Sequence, residues 1–444
     1  MGNPSRGWRR RVASLAGVAT CALPLLGTGA WAEQTESAPP QSTAATSPEA
    51  APPLTLSECM RIALQQQPAL AAQRASLAAA EEGYRGAEEL RVPAFLVRDL
   101  PLRRQQACLG VTIAAAGLNQ AEWETIYAVT RTYFGVVYAR QQLHVVDDLV
   151  NSLRFYQERV RDLVTKGEGP KEWTTSTVDK ITVYLGLAEV RRSEALNGIE
   201  KASAALREAM GVGPEVAIRV AEQSLPNPKL AVNREQIVGL ALARRGELAQ
   251  VTMAAQVTDL EVQAQARTLL PVAKTFAFGA DIHARPVPQG MSNHEYRPGA
   301  TGLEMPPSLA GPRTSRVDHA QDLNARAAAV VDKTRNLIAL EAEAMYYKWE
   351  DASRRVASGQ LAAEAGSRLA KSTREGRLAA QNVKIEDMLM SEAIAAQAMA
   401  SHNEALYDLA VALADLQRVT AGGFDASFAT LDGVCGTPAT PAAQ

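Results

Sequence analysis

Apolar and small residues recur at helical spacing along most of the chain, in stretches much longer than an ordinary helix. From Leu102 to Val137 such residues return at every seventh position, and no strong helix breaker follows until TKGEGPKEW, residues 165–173. We therefore expect a helix of ~64 residues, which would measure about 95 Å at ~1.5 Å per residue. A helix of that length needs neighbouring helices along its sides, as in a coiled coil or a helical barrel.

A shorter helical pattern precedes the long one, over about 54–90. Ser57 is its candidate N-cap, and Pro68 predicts a kink or a break within it. The long helix then begins with Asp99 as a candidate N-cap and Pro101 in its first turn, where a missing backbone N–H costs little.

The same order of helices then occurs a second time. After a third helix over about 173–211, LALARRGEL repeats the earlier IALQQQPAL 178 positions further along the chain. A helix to Leu270, a non-helical insert, a long helix over about 313–381 and a final helix over about 385–421 follow. This internal duplication predicts a mainly α fold of two long helical hairpins, with at most one short β-hairpin in the second repeat.

The N-terminus has the pattern of a secretory signal peptide. A basic segment, RGWRRR, precedes an apolar run, and Ala30 and Ala32 provide the small residues of a cleavage site. Lipidation at Cys21 is an open alternative. The predicted divisions are a signal peptide at 1–32, a disordered linker at 33–53, a first helical repeat at 54–211, a connection at 212–232, a second helical repeat at 233–424 with a non-helical insert at 271–312, and a disordered tail at 425–444.

Composition argues against several classes of function. Hydrophobic residues make up 47% of the chain but aromatics only 5%, which suits closely packed helices better than a thick globular core. A net charge of −2 gives no basic surface for nucleic acid. The histidines and cysteines have no metal-ligand spacing, and no catalytic triad, phosphate loop or other cofactor motif occurs in a suitable context. We expect no enzyme, no cofactor and no metal site.

Four motifs, in order across both repeats, resemble those of the TolC-like outer-membrane efflux proteins. LTLSECMRIALQQQPAL resembles the opening helix of that family, and ALARRGELAQ is similar to its counterpart in the second repeat. NVKIEDMLMSEAIAAQA resembles the break and the following helix, and SHNEALYDLAVALADLQRVTAGG resembles the closing helix. The resemblance covers about residues 54–424.

The resemblance implies a homotrimer whose long helices form a periplasmic α-barrel and whose strands enter the outer membrane. It implies a passive conduit of a tripartite efflux or type I secretion system, which receives its substrates from a periplasmic adaptor and an inner-membrane pump. The helix tips would contact the adaptor, through residues of the two tip segments: Lys166, Gly167, Gly169, Trp173, Asp179, Asn382, Glu386 and Asp387.

Asp387 matches an acidic position of the family at the start of the last helix, and Asp179 lies in the equivalent zone of the first repeat. An alternative reading is that both are helix-start carboxylates, favoured there by the helix dipole.

The sequence departs from the family in the first repeat. Only eleven residues separate Leu90 from Leu102, and two of them are proline. A membrane strand needs ~9–11 residues, so a hairpin cannot fit there. The insert of the second repeat has enough length, although Pro306 and Pro307 would weaken a strand. An alternative function is therefore a periplasmic helical scaffold that has the same plan but no longer spans the outer membrane.

Overall fold

The computed structural model describes residues 52–93, 97–168, 173–276, 302–378, 384–426 and 428. The predicted signal peptide with Ala30 and Ala32 lies outside these residues, as do most of the predicted linker and tail. The described elements are β1 (Pro53–Leu54), α1 (Leu56–Gln66), α2 (Pro68–Glu89), α3 (Leu100–Lys166), α4 (Thr175–Met210), β2 (Arg219–Val220), α5 (Arg234–Arg244), α6 (Gly246–Arg267), β3 (Val272–Lys274), β4 (Ser308–Ala310), α7 (Arg313–Leu378) and α8 (Ile385–Val419). The mainly α fold is confirmed.

The duplication is visible in the helix boundaries. α5 starts at Arg234 and α6 at Gly246, each 178 positions after the starts of α1 at Leu56 and α2 at Pro68. In both repeats a single extended residue separates the two short helices. Pro68 supplies the break in the first repeat. Gly246 takes its place in the second, where an added Cβ would lie 2.6 Å from the Ala116 carbonyl oxygen.

The two N-cap predictions have different outcomes. Thr55, not Ser57, caps α1, because Thr55 and Glu58 form a reciprocal capping box in which each side chain binds the backbone N–H of the other. Asp99 does occupy the N-cap position of α3, but its side chain makes no capping bond. It accepts a hydrogen bond from Arg103 Nε at 3.1 Å instead.

Two helices end a little earlier than expected, and the end of a third is not described. α6 stops at Arg267 rather than Leu270, because Thr268 is already extended and the chain continues into β3. α8 stops at Val419, where Ala421 and Gly422 adopt positive φ values of 44° and 70°. α7 is described to Leu378, and the residues from 379 to 383 lie outside the description.

The short strands tie the helices together at two places. β1 pairs in parallel with β2. Pro53, the last residue of the predicted linker, therefore belongs to a strand. The connection at 212–232, which was predicted to be irregular, contains the strand β2. β3 and β4 are antiparallel, with Val272 opposite Ala310 and Lys274 opposite Ser308. These paired strands lie in the second repeat, where one short β-hairpin was predicted, and residues 277–301 between them lie outside the description.

The long helices pack side by side. Near the start of α3 the order is α2, α3, α6 and α7, and near its end the order is α4, α3, α8 and α7. Buried residues of both repeats meet in one large core, which includes Cys59, Tyr133, Leu206, Val356 and Leu409. Within the described ranges, no helix is apolar over a stretch long enough to cross a bilayer.

Candidate functional site at the helix tips

The helix tips are built from the last turns of α3 and α7 and the first turns of α4 and α8. Gly167 ends α3 in the left-handed conformation, with φ 71°. The N–H of Gly167 donates to the Val164 carbonyl at 3.3 Å, and that of Glu168 donates to the Leu163 carbonyl at 3.1 Å. Glycine at this position avoids the strain that a Cβ would cause and satisfies the free carbonyls of the last turn.

An apolar cluster holds the tips of the two repeats together. Val160 of α3 and Ile181 of α4 are buried against Met388 of α8, and Trp173 packs on the same cluster while partly exposed. The cluster therefore packs the tips of α3, α4 and α8 against one another.

The predicted tip residues fall into three groups. Lys166, Gly167, Asp179, Glu386 and Asp387 are exposed on the surface of the tip. Trp173 is half-buried and contributes to its packing. The remaining two, Gly169 and Asn382, lie outside the described residues.

One ion pair joins the start of α4 to the start of α8. Lys180 Nζ lies 2.8 Å from Glu386 Oε1. The hydrogen bond from Lys180 lowers the pKa of Glu386 below its usual value. Because both side chains are more than half exposed, solvent screens the pair and it contributes little to stability. Its charges are available to a partner.

The two tip aspartates differ in their relation to the helix ends. Asp387 lies in the first turn of α8, where the helix dipole favours a carboxylate. Asp179 is the fifth residue of α4, and no acidic residue occupies the first turn of that helix. The dipole effect falls off within one turn, so it accounts for Asp387 but not for Asp179.

A polar cluster beside the tip core escaped the sequence analysis. Glu392 Oε1 accepts hydrogen bonds from Tyr156 Oη and from Arg374 Nη2, both at 2.7 Å. Arg374 also donates to Tyr156 Oη at 3.1 Å and to Ser152 Oγ at 3.4 Å. Burial is the main cause that raises the pKa of Tyr156 to about 12, so this phenol stays protonated at neutral pH.

Ser152, Tyr156 and Arg374 of this cluster line a cavity of about 640 Å³ at the tip, and Glu392 lies behind them. The three principal residues of the cluster are on α3, α7 and α8, and nothing in their local sequence distinguishes them from the many surface charges of long helices. The described residues contain no group of side chains that could hold a metal ion. The tip thus offers exposed charges around a packed core, which is an arrangement suited to binding a protein partner.

Comparison with known proteins rests on structure alone, since no protein-family model and no curated protein matches the chain. Solved structures that match include a membrane protein from Pseudomonas aeruginosa, at 13% identity and a TM-score of 0.64, over 82% of this chain and 93% of that one. The outer membrane protein VceC from Vibrio cholerae matches at 15% identity and a TM-score of 0.63, over 83% and 97%. The CmeC outer membrane channel of Campylobacter jejuni matches at 12% identity and 0.62, over 84% and 86%. At these identities the likeness establishes a common fold.

Proposed function

We propose that this chain, which has the fold of the TolC-like outer-membrane channels, is the conduit component of a tripartite efflux or type I secretion system. In this proposal the protein performs no chemistry and resides in the outer membrane, with its helices in the periplasm. An inner-membrane pump and a periplasmic adaptor hand substrates to it.

The observation that carries the proposal is the open lateral order of the long helices. Near the start of α3, α2 packs on α3, α3 packs on α6 and α6 packs on α7. Near the end of α3, α4 packs on α3, α3 packs on α8 and α8 packs on α7. Among the described residues α7 makes no extended contact with α2 or with α4. Additional copies of the chain can close such a layer of helices into a tube, and we propose a homotrimer.

The exposed apolar residues of α4 support self-assembly. Val183, Leu187 and Val190 are 61%, 63% and 57% exposed, on the side of α4 away from its buried residues. Leu187 and Val190 line a groove of about 950 Å³ between α4 and α8. A row of exposed apolar side chains of this kind indicates a surface that contacts another protein surface, and we propose that this surface is a second copy of the chain.

The tips are the proposed adaptor-binding surface. Lys166, Asp179, Glu386 and Asp387 present exposed charges of both signs on ends that the apolar cluster holds in place. A rigid, charged surface of this kind favours specific and salt-dependent association with a protein of complementary charge.

The connection between α2 and α3 favours a second candidate. α2 ends at Glu89 and α3 starts at Leu100. The residues between them are too few for two membrane strands of ~9–11 residues each. The alternative is a periplasmic scaffold that has the same helical plan but does not span the outer membrane.

Fractionation separates the two candidates. If the protein is a conduit, it stays with outer membranes after carbonate washing and leaves only with detergent, and deleting its gene lowers tolerance to toxic compounds. Release by carbonate, with tolerance unchanged, would instead favour the scaffold.

Tip variants test the docking surface. The double substitution Asp179→Ala and Asp387→Ala is expected to abolish cross-linking to the adaptor and to leave the gene deletion uncomplemented. Glu82→Ala is the control, since Glu82 belongs to an exposed ion pair with Arg85 on α2, which does not contribute to the tips. If the tip variant complements as well as this control, the tips do not bind the adaptor.

A further inference from the structure

The cavity at the helix tip has a buried floor and an exposed rim. It is the cavity of about 640 Å³ that residues of α3, α7 and α8 line, and it is here called the tip pocket. Its floor is formed by buried side chains, namely Tyr156, Val160, Ile385 and Met388. The volume falls within the range of roughly 300–1,000 Å³ that small-molecule sites occupy in proteins. The tip pocket is therefore large enough for a compound of one or two aromatic rings.

One edge of the tip pocket is a row of exposed side chains on α3. Asn151, Phe155 and Arg159 follow one another at intervals of four residues, so they lie on the same side of the helix. All three line the pocket and are exposed. The Phe155 ring is 59% exposed and stands edge-on to the Tyr156 ring, with 5.8 Å between the ring centroids. The row presents an amide, an aromatic ring and a guanidinium to a molecule that enters the pocket.

The charge at the tip pocket is positive. Among the described residues that line it there is no aspartate or glutamate. Arg159 makes no ion pair with any residue that the structure describes. Arg374 of α7 is 48% exposed, and its bonds within the polar cluster use Nε and Nη2. Because Glu392 behind the pocket is already paired with Arg374, the charge of Arg159 is not balanced within the pocket.

This combination suits an aromatic ring that carries an anionic group. A guanidinium can bind a carboxylate or a sulfonate through two parallel charge-assisted hydrogen bonds. Aromatic rings also attract one another in edge-to-face and offset-stacked contacts, such as the exposed Phe155 can offer. A cation would be repelled by Arg159, and a neutral compound would gain only the apolar contacts. The charge and the aromatic surface therefore select the same class of ligand.

We propose that the tip pocket binds a small aromatic anion, such as an aryl carboxylate or an aryl sulfonate. The ring lies on the buried floor beside Phe155, and the anionic group pairs with Arg159 and with the exposed part of Arg374. The proposal goes beyond the proposed function, since it concerns a ligand of a single copy of the chain and requires neither a pump nor an adaptor.

Calorimetric titration of the purified protein with 1-naphthoate tests the proposal. The wild type should bind one naphthoate per chain, and it should bind 1-naphthamide, the neutral analogue, at least tenfold more weakly. Arg159→Gln should lower the affinity for naphthoate about tenfold, the effect of losing a hydrogen bond to a charged group, and should leave the affinity for naphthamide unchanged. Phe155→Ala should weaken the binding of both compounds, because both contain the ring.

Arg161→Gln is the matched control, since Arg161 is an exposed arginine of the same helix that does not line the pocket. It removes the same charge and should bind naphthoate as the wild type does. Helix content is measured for every variant, so that misfolding is recognised.

Three results would overturn the proposal. They are a wild type that does not bind naphthoate, equal affinities for naphthoate and naphthamide, and equal effects of Arg159→Gln and Arg161→Gln. A second copy of the chain that fills the pocket in the assembled protein would give the first of these results. Tolerance and adaptor cross-linking test the conduit separately.

Discussion

Glu341 of α7 lies between two arginines from different parts of the chain. Arg418 Nη2 donates to Glu341 Oε1 at 2.8 Å, and Arg245 donates to Glu341 Oε2. Arg245 also binds Glu247, at 2.9 and 3.0 Å. Burial alone would raise the pKa of Glu341, but the two arginines lower it to about 2. The three helices that meet here are thus joined by a buried charge cluster.

The shifted pKa of Glu341 predicts how stability depends on pH. Because the folded-state pKa lies below the ordinary value of 4.5, the contribution is complete above pH 4.5 and is lost as the pH falls towards 2. Glu341→Gln should therefore lower the free energy of unfolding at pH 7 by roughly 3 kcal/mol, since it leaves two buried arginines underpaired. Below pH 4.5 the difference between variant and wild type should shrink.

Denaturant unfolding at several pH values between 7 and 3 measures this difference. Glu364→Gln is the control on the same helix, because Glu364 is 51% exposed in a weak pair with Arg368. If both variants lose the same stability at pH 7, or if the loss at Glu341 does not change with pH, the buried cluster is not the cause.

At the scale of elements, the junction of α1 and α2 is fixed by the end of α4. Gln67, the extended residue between the two short helices, donates from Nε2 to the carbonyls of Glu208 at 3.0 Å and Ala209 at 3.1 Å. Gly211 ends α4 with φ 70°, and a Cβ there would lie 2.6 Å from Gln67 Cα. Glycine is needed at this position both for its backbone conformation and for the close approach.

Alanine variants of Gly211 and Gly167 separate the effect of the backbone conformation from the effect of the close approach. Gly167 also ends a helix with φ 71°, but nothing lies within 4 Å of its would-be Cβ. Gly167→Ala should cost about 1–2 kcal/mol, the ordinary penalty for alanine in the left-handed conformation. Gly211→Ala should cost more, because the backbone at Gln67 must also move. Equal losses in the free energy of unfolding would show that the α1–α2 junction yields easily.

The helices themselves could be predicted because their signals are local. Pro68, Pro101 and Gly211 mark helix ends within a few residues, and the repeat at an offset of 178 allows one repeat to confirm the other. The prediction of Ser57 as the N-cap of α1 was wrong because Thr55, two positions earlier, also has a hydroxyl side chain. Only the capping box with Glu58 selects Thr55.

The polar clusters could not be predicted because their members are far apart in sequence. Arg245 and Glu341 are 96 positions apart, and Tyr156 and Glu392 are 236 apart. On a long helix a buried arginine and an exposed one have the same local sequence context, and only the position of the neighbouring helix distinguishes them. The tip residues were predicted by position, whereas Arg374 and Glu392 beside them were missed for this reason.

At the scale of the whole molecule, the two repeats share one core. α3 of the first repeat packs along α6 and α8 of the second as well as along α2 and α4. In the large core, Tyr133 and Leu206 of the first repeat lie with Val356 and Leu409 of the second. The duplication is therefore one of sequence and element order, and the largest core is shared between the repeats, although smaller clusters lie within the second repeat.

This shared core predicts that the repeats fold only together. A fragment of residues 52–232 or 233–426 would expose the buried face of its long helix, so each alone should have low helix content and no cooperative unfolding transition. Mixing the two fragments should restore the helix content and the cooperative transition, as measured by circular dichroism.

The matched control is the intact chain with a protease site inserted at Asn227, an exposed residue of the connection, and cut after folding. The cut protein should keep its helix content and its single transition, because the core rather than the connection joins the repeats. A fragment that unfolded cooperatively at full helicity by itself would contradict this account, since it would require a sufficient core within one repeat.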